Sequence, residues 1–168
     1  MKLILPKEKY LNSYQQAFLE YKQQRVDKYA FYNANQIDVI KLCYDNRKGI
    51  GLKDGWVPQT TYWLIDNEEF IGEISIRHYL TDSLLRYGGH IGYGVRYSKW
   101  NLGYGTKMLT LALKKAKTMG LEKVLITCDK DNFGSAKVIE NNGGVLENII
   151  ENIIEGKKIH TKRYWIEL

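Results

Sequence analysis

Two cysteines and three histidines in 168 residues leave little room for metal or disulfide chemistry. Cys43 and Cys128 lie far apart without ligand spacing, so free thiols in a reducing compartment are expected rather than a disulfide framework. His78 and His160 have no ligand-like neighbours at zinc spacing, and no metal is expected. With two prolines, 44% hydrophobic and 26% charged residues, the composition is that of a folded globular protein rather than a disordered or fibrous one. No stretch approaches the roughly 18 apolar residues of a membrane span. The opening MKLILPKEKY breaks at Pro6, before the apolar run of about 7 to 15 residues that a secretory signal needs. A cytoplasmic location and no membrane partner follow as expectations. The net charge of +6 suggests an anionic partner. Its basic residues are nevertheless spread along the chain without a long block of like charge or an RNA-recognition motif, so no nucleic-acid partner is expected.

What is present reads as one domain over residues 1–168, large enough for a real core. A short strand at Lys2 to Leu5 precedes a helix from Pro6 with Tyr10, Tyr14, Phe18 and Tyr21 near helical spacing. The spacing predicts a second helix over NQIDVIKLCYDNRKG, with Ile37, Ile40 and Tyr44 on one side and a stop at Gly49. TTYWLID and FIGEISIRHYL around DNEE read as a β-hairpin. TDSLLRYGG then leads to HIGYGVRY, where Ile91, Tyr93, Val95 and Tyr97 alternate with His90, Gly92, Gly94 and Arg96. GTKMLTLALKKAKTMG carries an apolar stripe of Met108, Leu109, Ala112, Leu113, Ala116 and Met119. EKVLITC is a strand, GSAKVIENNGG a short helix, and the remainder a hairpin turning near Glu155 and Gly156. The order β-α-α-β-β-β-α-β-α-β-β predicts a mixed-sheet α/β (α+β) domain with a parallel crossover through the central helix.

The segment WNLGYGTKML, residues 100 to 109, joins a strand to that central helix. Such a loop offers unpaired N–H groups and a helix dipole to an anion, or it is only a tight turn. It is not a dinucleotide fingerprint, since Met108 stands where a third glycine belongs. It is not a P-loop either, since Gly105 is followed by Thr106 and Lys107 in the wrong order. Gly88, Gly89, Gly92 and Gly94 around the preceding strand favour the first reading, because bare backbone there suits a ligand lying close.

From His90 to Gly144 the sequence resembles the GCN5-related N-acetyltransferases. HIGYGVRY, LGYGTKMLTLALKKAKTMG, KVLITC and DNFGSAKVIENNGG carry the resemblance, which is strongest from about residue 70. It implies a GNAT-like acyl-CoA N-acyltransferase fold with acetyl-CoA as co-substrate. It implies that the loop amides of Asn101, Leu102, Gly103, Tyr104, Gly105 and Thr106 hold the coenzyme A pyrophosphate. Tyr93, Gly94 and Val95 would face the pantetheine arm, with Asn132, Ser135 and Lys137 along its other side. Trp100 departs from the Gln or Arg that opens the family loop, and Arg96, Lys99 and Lys107 are cations near the phosphates.

The implied activity is transfer of the acetyl group to a primary amine by direct attack in a ternary complex, with a small-molecule or peptide amine as acceptor. A non-catalytic module binding coenzyme A or a partner is the alternative, and a homodimer is possible. Transfer needs a base for the amine, a donor for the carbonyl oxygen and a proton for the departing thiolate. An N–H near Val95 suits the oxygen. His90 on the glycine side of its strand is either a base or a structural histidine. Glu73, in a row with Ser75, Arg77 and Tyr79, is either a carboxylate base or an ion-pair partner of Arg77. The family's tyrosine acid falls at Ile139, so either Tyr79, Tyr93, Tyr104 or water substitutes, or the thiolate leaves unaided. The first two helices, with Tyr29, Phe31 and Tyr32, and the TDSLLRYGG loop are expected to select the acceptor.

Overall fold

The computed structural model describes residues 1–26, 31–154 and 156–168. Its seven strands form a single mixed sheet: β1 (Lys2–Ile4), β2 (Gln59–Asp66), β3 (Glu69–Arg77), β4 (Ile91–Val95), β5 (Lys123–Asp129), β6 (Val145–Ile154) and β7 (Lys157–Glu167). They lie in the order β1-β2-β3-β4-β5-β7-β6. All pairings are antiparallel except β4 with β5. The β2–β3 turn is Asn67 and Glu68, both at positive φ (46° and 61°), the backbone that two-residue hairpins require. The parallel step from β4 to β5 is spanned by α4 (Tyr104–Thr118), as a parallel crossover demands.

Alternation along the strands divides the core between the two sheet faces. Trp63, Ile65 and Phe70 turn to one side and pack with Tyr10, Tyr14 and Tyr21, centred on a Tyr14–Trp63 stack at 4.8 Å. That layer is α1 (Leu11–Gln23) and α2 (Val39–Lys48). Leu64, Ile74, Ile76 and Ile91 turn to the other side, under Met108, Leu109 and Ala112 of α4 and Ala136 of α5 (Phe133–Glu140).

Three local readings change. The connector TDSLLRYGG contains a one-turn helix, α3 (Asp82–Arg86), because the Thr81 hydroxyl accepts from the Leu84 amide and caps it. The helix expected from Pro6 begins as a 3-10 turn, Glu8–Tyr10, and becomes α-helical at Leu11. On α2 the expected stripe holds only in part: Ile40 packs against the core, whereas Ile37 before the helix and Tyr44 within it are exposed, at 39% and 57%. Asp38 accepts from the Lys41 amide and sets the phase, so Val39 and, seven residues on, Asn46 point inward. Tyr29 and Glu155 lie outside the described residues.

The C-terminal end of β4 is braced by charge. Arg96, 8% exposed, pairs through Nε with Glu20 of α1 at 2.6 Å and through Nη1 with Glu69 of β3 at 2.8 Å. Lys99 closes on the other oxygen of Glu69 at 2.8 Å. Arg96→Met keeps most of the volume but leaves Glu20 without its cation and Glu69 with Lys99 alone. Because both are partly solvated, the expected loss is about 2 kcal/mol, below the full cost of breaking a buried pair, read as a lower denaturant midpoint at unchanged slope.

Candidate active site

The site begins where β4 and β5 part. Only Ile91 and Ile126 are in register between them. Beyond that point β5 keeps its pairing with β7 as far as Asp129 and Thr161, while Gly92 to Val95 stay with β3 alone. The ladder bonds Arg77 N–H to His90 O and Arg96 N–H to Ile71 O set the phase of the β3–β4 pairing. Gly92 and Gly94 therefore direct their backbone groups to β3, and Tyr93 and Val95 direct theirs to the abandoned edge. A Cβ at Gly92 would meet nothing within 4 Å, so the strand borders open space at that residue. The Tyr93 ring turns to the α5 side, where its hydroxyl donates to the Ser135 carbonyl at 3.3 Å, and burial pushes it up to about 12.

The carbonyl of Val95 has two donors, the Tyr21 hydroxyl at 2.6 Å and the Trp100 Nε1 at 2.7 Å. Trp100 also packs against Tyr97, with ring centroids 4.7 Å apart. The indole thus fastens the start of the loop to the end of the strand.

In the loop, Asn101 and Gly103 take left-handed conformations (φ 59° and 79°), and Gly103 caps α4 with no side-chain hydrogen bond. The first helical bond is Lys107 N–H to Gly103 O, so the amides of Gly103 to Thr106 have no carbonyl within the helix. Leu102 is exposed, and Tyr104 is anchored through its hydroxyl to Asp66 at 3.2 Å. Gly105 lets α4 approach α5, since a Cβ there would come 3.0 Å from Val138. Of the three cations near the loop, Arg96 and Lys99 are committed to Glu20 and Glu69, while Lys107 is exposed. Across the gap, Asn132 caps α5 by accepting from the Ser135 amide at 3.0 Å, and Lys137 is exposed. Ile139 is fully buried. Tyr79, beyond the end of β3, is 55% exposed.

On the opposite face of β3 and β4 from the Tyr93 ring lies a cavity of about 240 Å³. Its floor is Gln59, Thr61, Glu73 and Ser75, its roof Leu42, Cys43 and Asn46 of α2, with Phe31 and Tyr32 closing one side. Glu73 pairs with Gly94, so the cavity floor adjoins the bare side of β4. One Glu73 oxygen accepts from Trp63 Nε1 at 2.9 Å. Burial lifts its carboxyl to about 7, against the smaller opposing effect of that hydrogen bond. Arg77 is not its partner, because Nη1 donates to the carbonyls of Gly88 and Gly89 at 2.8 and 2.9 Å.

His90 sits elsewhere, at the closed end of the β4–β5 seam. Its amide donates to Leu125 O and its Nδ1 accepts from Leu125 N–H at 2.9 Å. Burial, with Arg77 adding to it, holds the imidazole down at about 4. Reading by sequence missed Asn46, Gln59, Thr61 and Cys43. The one local signal was a polar Asn46 seven residues after Val39, on the inward face of the helix.

The mixed sheet thus splays beside a glycine-faced strand, with a helix N-terminus lacking a side-chain cap on one side and a carboxylate-floored cavity on the other. The pattern of the acetyltransferase (GNAT) domain matches residues 10–145, and the chain belongs to that family. No curated protein matches by sequence. The fold is shared with the microcin C7 self-immunity acetyltransferase in complex with acetyl-CoA and AMP (TM-score 0.74, 16% identity, covering 99% of this chain and 91% of that one). It is shared also with a Salmonella typhimurium acetyltransferase that modifies the N-terminal serine of ribosomal protein L7/L12 (0.71, 18%, 99% and 94%). A variant of the Vibrio cholerae spermidine N-acetyltransferase is similar as well (0.65, 13%, 99% and 92%).

Trp100→Phe keeps the ring contact with Tyr97 and removes one donor from Val95 O. The expected cost is about 1 kcal/mol of stability, because Tyr21 still satisfies the carbonyl. Tyr21→Phe combined with Trp100→Phe leaves that carbonyl unpaired and is expected to cost more than the two single changes added together, as a double-mutant cycle would read.

Proposed function

We propose that this chain moves the acetyl group of acetyl-CoA to a primary amine held in the Glu73 cavity, by direct attack in a ternary complex. The observation that carries the reading is Glu73 itself, a carboxylate on the cavity floor, beside the bare strand, with a pKa near 7. Acetyl-CoA supplies the acetyl group already activated as a thioester. The amides of Gly103 to Thr106 would hold its pyrophosphate, with exposed Lys107 as the available cation. The backbone of Tyr93 and the N–H of Val95, turned to the free edge, would take the pantetheine arm as a strand takes a neighbour. Asn132, Ser135 and Lys137 form the far bank.

Glu73, which lines the cavity while Trp63 holds one of its oxygens, accepts the proton that the attacking nitrogen must lose. The Val95 N–H stands at the free edge, where it can donate to the carbonyl oxygen as charge grows there, a contact whose removal costs about 3 kcal/mol in comparable sites. The amine belongs on the α2 side of β4 and the thioester in the splay, so the two meet at the Gly94–Glu73 rung. His90, committed through Nδ1 and held neutral, keeps the seam closed and takes no part in this scheme.

Three outcomes test the proposal. Acetyl-CoA at a hundredfold excess over Kd should raise stability by about 2.7 kcal/mol, seen as a melting shift. A flat melting curve and no calorimetric heat would exclude the cofactor. Turnover, followed by thiol release, should rise with pH through about 7 as Glu73 loses its proton, and Glu73→Gln should lower kcat by roughly a hundredfold or more and remove that rise. Stability should move the opposite way. The folded-state pKa of Glu73 is raised, so the stability it contributes is fully present below its ordinary pKa of 4.5 and is lost as pH climbs through 7. At pH 8, Glu73→Gln is therefore expected to be the more stable protein, by up to about 3 kcal/mol.

A further inference from the structure

The cavity holds more polar groups than proton removal requires. Asn46 is 9% exposed, yet its side-chain amide has no protein partner among the described residues and forms part of the cavity wall. A largely buried amide normally finds a hydrogen bond, and because Asn46 lines the cavity, a molecule held there can provide one. Gln59 lines the same end, and its side chain is likewise without a partner. Neither group carries charge, and no Lys or Arg is among the described lining residues.

The direction of α2 over the sheet fixes where these amides stand relative to Glu73. Cys43 lies over Thr61, its hydrogen-bond neighbour. At the helix end, a Cβ on Gly49 would come within 3.3 Å of Pro58. Asn46, between them, therefore hangs over the Gln59 end of β2. Glu73 pairs with Trp63, four residues from Gln59, which at a strand rise of roughly 3.3 Å per residue is about 13 Å. The cavity is thus anionic at one end, neutral and hydrogen-bonding at the other, and too small at about 240 Å³ for more than a compact molecule.

We infer that the acceptor is a small elongated amine whose far end carries a neutral hydroxyl or amide, and that Asn46, with Gln59, selects it. The inference rests on the acetyl-transfer reading for the role of Glu73, and adds the chemistry of the distant end. A carboxylate or phosphate there would find no lining cation among the described residues, and a plain alkyl end would offer Asn46 no hydrogen bond, so both are disfavoured. No bond beyond the proposed amide is formed: the nitrogen gains the acetyl carbon, the thioester C–S bond breaks, and the proton passes to Glu73.

The test is a matched series of 6-aminohexanol, 6-aminohexanamide, hexylamine, 6-aminohexanoate and hexane-1,6-diamine, with a free tripeptide alongside. Each is assayed for kcat/KM by thiol release and titrated calorimetrically with and without acetyl-CoA. The alcohol or the amide should exceed hexylamine and 6-aminohexanoate at least tenfold. In Asn46→Leu the ratio of alcohol to hexylamine should fall to near one. In Asn46→Asp the preference should pass to the diamine. A retained melting shift with acetyl-CoA confirms that each variant is folded. The inference is overturned by equal or better use of hexylamine, 6-aminohexanoate or the tripeptide, by an unchanged order in Asn46→Asp, or by no heat from any amine of the series. Turnover of a different amine with acetyl-CoA would leave the proposed function standing while removing this inference. Loss of acetyl-CoA binding would remove the proposed function, and the titrations without acetyl-CoA would still decide the cavity.

Discussion

After Ile91 the sheet stops pairing between β4 and β5, and a strand that has lost one neighbour must be held some other way. An unpaired strand edge inside a domain is unstable unless its groups are satisfied or a partner is expected. Here the closed end is pinned by His90, bonded twice to Leu125. The open end is pinned by Arg96 between Glu20 and Glu69, and by the Val95 carbonyl between Tyr21 and Trp100. Between these pins the backbone of Tyr93 and the Val95 N–H have no strand neighbour on that edge. The gap is therefore built into the fold and does not depend on a ligand to open it.

The same strand couples this gap to the cavity. Gly94 and Glu73 form one rung, so whatever lies along β4 comes close to the carboxylate on β3. Trp63 is wholly buried beneath α1 and needs a partner for its indole N–H; Glu73 provides it. That bond alone is too weak to offset the desolvation of a carboxylate, which is why the group sits near 7 instead of in the usual acid range. Among the described residues Glu73 has no second donor and no ion pair, either of which would have stabilised the fold and reduced the basicity together. Arg77 is on the same strand and is spent on the carbonyls of Gly88 and Gly89.

Much of this was legible in the sequence where the cause is local. The alternation of bulky residues with Gly92 and Gly94, the loop around Gly103 and the stripe of α4 all depend on neighbours within a few residues. What escaped depends on long-range pairing. Trp100 had no assignable task because its partner, the Val95 carbonyl, is shared with Tyr21 from α1, 74 residues away. Arg96 read as one of three loop cations because Glu20 and Glu69 come from other elements. The phase of α2 was misread because Tyr44 and Ile37 are as apolar as the residues that turn inward, and a capping Asp38 outweighs a weak stripe. Asn46 could not be placed in a cavity before the helix was placed on the sheet.

The missing tyrosine at Ile139 bears on one proton, and magnitudes decide how much it matters. On the proposed reaction, a thiol with a pKa of about 8.5 leaves as thiolate at neutral pH against only some 1.5 units, or about 2 kcal/mol. An aliphatic ammonium near 10.4 must instead give up its proton against roughly 3.4 units, more than twice the cost. The base is thus the group such a site needs most, and the acid the one it can best do without. The hydroxyls available agree with that order. Tyr104 is tied to Asp66, and Tyr93, raised to about 12, already donates to Ser135. A phenol so weakly acidic serves better as a hydrogen-bond donor to sulfur than as a source of its proton. The burial that makes Glu73 a stronger base also makes Tyr93 a poorer acid, so one physical cause, desolvation on the two sides of β4, divides the two roles.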